Sequence, residues 1–169
     1  MDRSPIRRKQ PEKLLRLQRD LGVALSATSD QLEALNLILD ATCRIEGIDC
    51  GGIYLADKET GDFDLVHHRG LPVEFIESAA RFGSDSPQVQ LVMAGKPIYG
   101  LYADIAVTTD PICRNEGLRA VAVIPVKDKL KIRGALNLAS HSHDEIPEDA
   151  RYAIQAIASQ IGVDFFGLH

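Results

Sequence analysis

The sequence predicts an α+β fold built on a mainly antiparallel sheet that is covered on both faces. Three observations carry this. Apolar runs bounded by turn residues come in consecutive pairs, as hairpins do, over 50–69 and 118–140. Spacing of apolar residues by three and four frames them near both ends of the chain. In the second hairpin Ala120, Ala122 and Ile124 alternate with Val121 and Val123. A sheet with one face in water would alternate apolar with polar, so something sits on each side of this one.

The elements follow in order. Pro5 and Pro11 argue against helix in the first ten residues. From Lys13, Leu14, Leu17, Leu21 and Ala24 form a heptad-like seam with Leu15 and Leu25 offset from it, an amphipathic helix suited to pairing with another chain. "TSDQLE" restarts the pattern with Asp30 and Glu33 at capping-box spacing. Leu32, Leu35, Leu39 and Thr42 give one face of the next helix, and Gly47 closes it. "CGGIYLAD", the turn "KETG" and "DFDLVHHR" predict a hairpin. "GLPVEFIESAARF" and "SPQVQLVMAGK" predict two helices, the second ending at Gly95. Residues 97–117 read as loop with a brief strand near Ile98. "LRAVAVIPV" and "RGALNLAS", joined by "KDKLKI", predict a long hairpin. Pro147 opens a last helix with a stripe of Ala150, Ala153, Ile157 and Ile161, flanked by Ile154, Ala158 and Phe165.

A chain of 169 residues is one domain by size. We expect a short, flexible basic arm over 1–12 and a folded unit over 13–169. No run approaches the roughly 20 apolar residues that span a bilayer, and the N-terminus lacks a secretory core. These features predict a soluble, cytoplasmic protein with no membrane insertion. The formal net charge of −5 argues against a nucleic-acid partner, although the first twenty residues are basic. Cys43, Cys50 and Cys113 are odd in number with no C-x-x-C, so no disulfide framework is expected. Cys43 and Cys50 read as buried apolar residues, and Cys113 as a loop thiol of interest.

"GGIYLADKETGDFDLVHHRGLP" resembles the first hairpin of GAF domains, the sensor modules of signalling proteins. "GLRAVAVIPVKDKLKIRGALNLAS" resembles their central hairpin, and "DEIPEDARYAIQAIASQIGVDF" their closing helix. The resemblance runs over roughly 13–166. It implies a sheet of about five to six strands with the terminal helices on one face. Short helices and loops, over about 72–118, would roof a pocket on the other. It also implies a regulatory sensor and dimerisation domain of a bacterial or archaeal signalling protein, most often a sensor histidine kinase. The chain itself would not be an enzyme, and the output module would lie outside it. Leu14, Leu17, Leu21, Ala24, Ile154, Ile157 and Ile161 would meet a second copy in a homodimer.

Candidate chemistry is sparse. His67 and His68 are neighbours on a strand and point to opposite faces. "ASHSHDEIPEDA" holds His141 and His143 among acids, but no Cys or third His lies near in sequence. Its acids suit a helix N-terminus better than a cation, so no metal site is expected. Of the cyclic-nucleotide signature of the family, Asn137 matches while Leu138, Ile146 and Ala150 do not. Asp110 and Cys113 in "DPICRN" are one residue too far apart for bilin attachment. A second reading is a stand-alone redox enzyme of the free methionine sulfoxide reductase type, working through Cys113, and a third is a coupler without a ligand. No motif requires a cofactor. Tyr54, His68, Tyr99, Tyr102, Cys113 and Asn137 are the candidate pocket residues, suited to a small polar ligand.

Overall fold

Caps, turns and strand alternation set the element order in the computed structural model, which describes residues 5–106 and 110–166. Helix α1 (Pro5–Ser26) opens the chain. Of the arm expected over 1–12, residues 1–4 lie outside the described residues, and the backbone from Pro5 is helical. Pro5 stands at the helix start, where a missing N–H costs no bond. Pro11 removes one bond from a helix anchored by buried Leu14, Leu21 and Leu25.

Helix α2 (Gln31–Thr42) is capped by Asp30, whose carboxylate accepts the Leu32 N–H at 3.1 Å. Glu33 does not complete the capping box; it accepts the Thr28 hydroxyl at 3.0 Å. The buried face is Ala34, Leu35, Ile38, Leu39, Ala41 and Thr42, while Leu32, expected inside, is exposed. The helix stops at Thr42, short of Gly47, which takes φ +90 in the turn beyond.

Six strands make one sheet: β1 (Cys50–Ala56), β2 (Phe63–Arg69), β3 (Arg81–Phe82), β4 (Ile98–Leu101), β5 (Ala120–Asp128) and β6 (Lys131–Ala139). Their order is β3-β2-β1-β6-β5-β4, and every neighbouring pair is antiparallel. The stretch expected to be helical through Phe82 yields a shorter helix, α3 (Val73–Ser78), followed by β3. Arg81 holds that edge by pairing with Asp62 at 2.8 Å and Asp64 at 2.6 Å. The charged "KDKLKI" is mostly strand, and only Lys129 and Leu130 turn, Lys129 at φ 58.

Alternation in the central strands builds two cores. Ala120, Ala122, Ile124, Leu136 and Leu138 face one way with Ile53, under α1, α2 and α7 (Glu148–Phe166). Val121, Val123, Ala135 and Ala139 face the other way with Cys50, Tyr54 and Phe63. That face is roofed by α3, α4 (Pro87–Met93), α5 (Tyr102–Ile105) and α6 (Pro111–Arg114). Helix α7 lies so close to β5 that a Cβ at Gly162 would run into the Lys127 carbonyl oxygen. Among the described residues no helix is long and apolar enough to cross a membrane.

Candidate functional site

Between the sheet and its roof the side chains leave a cavity of about 160 Å³. Its floor is the alternate residues of three central strands: Cys50 and Tyr54 of β1, Val121 and Val123 of β5, and Ala135, Asn137 and Ala139 of β6. Its walls include Phe63, Leu65, Phe75 and Phe82, and its roof Val89, Val92, Tyr102, Ile105 and Cys113. Capped helices place that roof. Ser86 accepts the Val89 N–H to start α4, and Asp110 accepts the Ile112 N–H to start α6.

Five of the six residues expected at a pocket line this cavity. Tyr54 donates its hydroxyl to the Ala79 carbonyl at 2.6 Å, tying floor to roof. Burial raises its pKa. Tyr102 sits in the roof, its phenol pushed up to about 12 by burial. His68 is at the exposed rim, and a bulge explains why it rather than His67 turns there. The register passes from Ile53↔His67 to Tyr54↔Leu65, which leaves Val66 unpaired and reverses the alternation. Asn137 lies mid-floor, where Gly52 and Val123 are its cross-strand partners. Its Oδ1 is buried with no hydrogen-bond partner.

Tyr99 does not belong to the site. Strand alternation sends Ile98 toward the cavity side and Tyr99 toward α7, where its hydroxyl donates to the Arg151 carbonyl at 3.3 Å and accepts from Gln155 at 2.9 Å. Cys113 is on a short helix rather than a loop and is buried. Cys50, read as a buried apolar residue, is buried and lines the floor of the pocket. Burial raises the pKa of both thiols; the charge of Asp49 adds to this at Cys50 and that of Asp110 at Cys113. Cys43 is half-buried and pushed up to about 11, again mainly by burial. The lining is largely aliphatic and aromatic, with Tyr54, Tyr102 and Asn137 among its polar side chains.

One cluster escaped the sequence reading. His141 stands between two carboxylates, with Nδ1 2.7 Å from Asp49 and Nε2 2.6 Å from Glu116. Its backbone N–H also donates to Asp49 at 2.8 Å. Burial works against charge on the ring, but hydrogen bonds and attraction from Asp49 and Glu116 outweigh it, so the pKa is raised. The cluster ties the entry of β1, the exit of β6 and the loop after α6 together. The 92-residue separation of Asp49 from His141 hid the pairing in the sequence. His143 is not part of this group; its Nδ1 lies 2.8 Å from the Ser142 hydroxyl. Of the nearby acids, Glu148 and Asp149 occupy the first turn of α7 as expected, and Asp144 pairs with Arg119 at 2.8 Å.

The helix residues expected to meet a second copy are largely occupied inside one chain. Leu14, Leu21, Ile154, Ile157 and Ile161 are buried in the core shared by α1, α2, α7 and the sheet, and Leu17 packs against it. Ala24 is half-buried. The outward faces instead carry Leu15, 68% exposed, Tyr152, 77%, and Val163, 61%.

The GAF domain model matches residues 28–163, most of the chain. The chain belongs to the GAF domain family. Solved structures agree in fold. The GAF domain of a phosphoenolpyruvate-protein phosphotransferase from Coxiella burnetii superposes with TM-score 0.77 at 17% identity, over 92% of this chain and 94% of that one. A domain of a putative two-component sensor histidine kinase from Sinorhizobium meliloti gives TM-score 0.65 at 20% identity, over 82% and 92%. Free methionine-R-sulfoxide reductase from Neisseria meningitidis, solved with its substrate, gives 0.74 at 15%, over 92% and 89%. At these identities the likeness is one of fold. No curated protein matches the chain in sequence. This GAF domain therefore shares its architecture with domains of a phosphotransferase and of a sensor histidine kinase, and with a reductase.

Proposed function

We propose that this GAF domain is a regulatory sensor: it binds a small molecule in the roofed cavity and passes occupancy to its terminal helices. One observation carries the reading. The strands that floor the cavity with alternate residues carry α1, α2 and α7 on their intervening ones. A ligand that shifts β5 or β6 therefore presses on α7 through the same backbone, and need only favour one of two helix arrangements. The domain would act in the cytoplasm, where its free thiols stay reduced. There it would govern a histidine kinase or another output module, as a homodimer joined along the exposed faces of α1 and α7. Hydrogen exchange of the protein with and without bound ligand tests the coupling. Slowed exchange in both α7 and the roof supports it; a response confined to the roof overturns it.

The reductase fold and two cavity thiols, Cys50 and Cys113, favour a second reading, thiol-dependent reduction of a free sulfoxide. Against it, burial and neighbouring acids hold both sulfurs protonated, whereas a nucleophile needs the thiolate. Turnover of free methionine-R-sulfoxide that disappears in Cys113→Ser would establish the enzyme and displace the sensor. Equal background rates in both proteins would remove it.

A further inference from the structure

We propose that the cavity takes a small, neutral ring compound bearing one hydroxyl, a phenol-class ligand, with that hydroxyl seated on the Asn137 amide. This rests on the sensor reading and narrows it to a ligand class. Size comes first. A dry cavity of about 150 Å³ lined by Leu, Ile and Phe accepts benzene, and this one offers about 160 Å³. A nucleotide or a bilin exceeds that volume.

Charge comes second. Among the described residues no Lys, Arg, Asp or Glu lines the cavity, and its imidazole, His68, stands at the exposed rim. A carboxylate or phosphate buried here would lose its hydration with no cation to replace it. The lining favours a neutral guest whose faces can lie against Phe63, Phe75 and Phe82.

The polar group comes third. The Tyr54 hydroxyl is committed to the Ala79 carbonyl, whereas the Asn137 amide makes no hydrogen bond among the described residues, and its Oδ1 is buried. A buried polar group without a partner is costly and unusual in a folded protein. Asn137 lies on the floor beside Gly52, which presents no side chain there. A hydroxyl both donates and accepts, so it meets either end of an amide. A guest with one hydroxyl on an apolar ring satisfies size, charge and amide together.

The test is an amide NMR titration of the chain with phenol, with toluene, which matches it in size, and with benzoate, a slightly larger anion. Phenol is expected to shift the floor and roof resonances and the Asn137 side-chain amide, binding about tenfold tighter than toluene, the value of one hydrogen bond. Benzoate is expected to leave them unmoved at the same concentration. In Asn137→Leu, phenol should lose about tenfold while toluene binds as well or better, which also reports that the variant has folded. A second variant, Val123→Phe, fills the floor and should exclude both neutral rings. Benzoate binding as well as phenol, equal binding of phenol and toluene to the parent protein, or no shift with either neutral ring would overturn the assignment. The sensor reading fails separately: phenol bound with α7 unchanged keeps the ligand class and removes the sensor. Benzoate bound with α7 responding does the reverse.

Discussion

At the scale of single residues, His141 makes the sharpest prediction. Its pKa is raised in the folded chain, where Asp49 and Glu116 both accept from the charged ring. Folding therefore favours the protonated form. The stabilisation is fully present below the ordinary value of about 6.5 and is lost as pH rises through the higher folded value. Replacing His141 with Gln should cost about 1–2 kcal/mol at pH 5.5 and much less at pH 9, read from urea unfolding at both. A cost independent of pH would show that the ring acts through packing alone. Residues of this kind were only partly legible in the sequence. Tyr54, Tyr102, Cys113 and Asn137 were found because strand alternation and a roof over 72–118 place them. Tyr99 was misassigned because the phase of a four-residue strand, Ile98–Leu101, cannot be read from so short a run. His141, Asp49 and Glu116 meet only in three dimensions.

At the scale of elements, two helical glycines separate space from propensity. Gly22 of α1 has nothing within 4 Å of a built Cβ, whereas Gly162 of α7 abuts the Lys127 carbonyl. The same change should therefore have opposite signs. Gly22→Ala should stabilise by about 0.5–1 kcal/mol through helix propensity alone. Gly162→Ala should destabilise by about 2–3 kcal/mol, because α7 must lift from β5. Thermal melts of the two variants check this, and a rise for both would mean that α7 has room to spare. Element type was legible wherever periodicity ran long, as in the central hairpin and α7. Boundaries were not. β3 is two residues whose strand character comes from pairing with Asp64 and Phe63, and nothing local marks it. Helix continues through Pro11 because packing further along α1 outweighs one missing bond.

At the scale of the whole molecule, the heptad-like seams misled in an instructive way. A stripe at spacing three and four declares that a helix buries one face, but not against what. Here Leu14, Leu21, Ile154, Ile157 and Ile161 bury it within one chain. The proposed dimer must then use the outward faces, with Leu15 and Val163 prominent on them. Light scattering of the chain at high micromolar concentration should return twice the monomer mass, and Leu15→Glu with Val163→Glu should return the monomer mass. A monomeric parent protein would end the dimer proposal.

The alternation along β6 has a consequence for how such a domain changes over generations. Ala135, Asn137 and Ala139 touch the cavity, while Leu136 packs in the helix-side core and Leu138 packs there too, reaching only the cavity's edge through its place in the floor strand. Odd and even positions of one strand thus answer to different selective pressures. Lineages retuned to new chemical cues would diverge at 121, 123, 135, 137 and 139 and hold 122, 124, 136 and 138 steady. Novelty in what is detected can then accumulate without dismantling how detection is relayed.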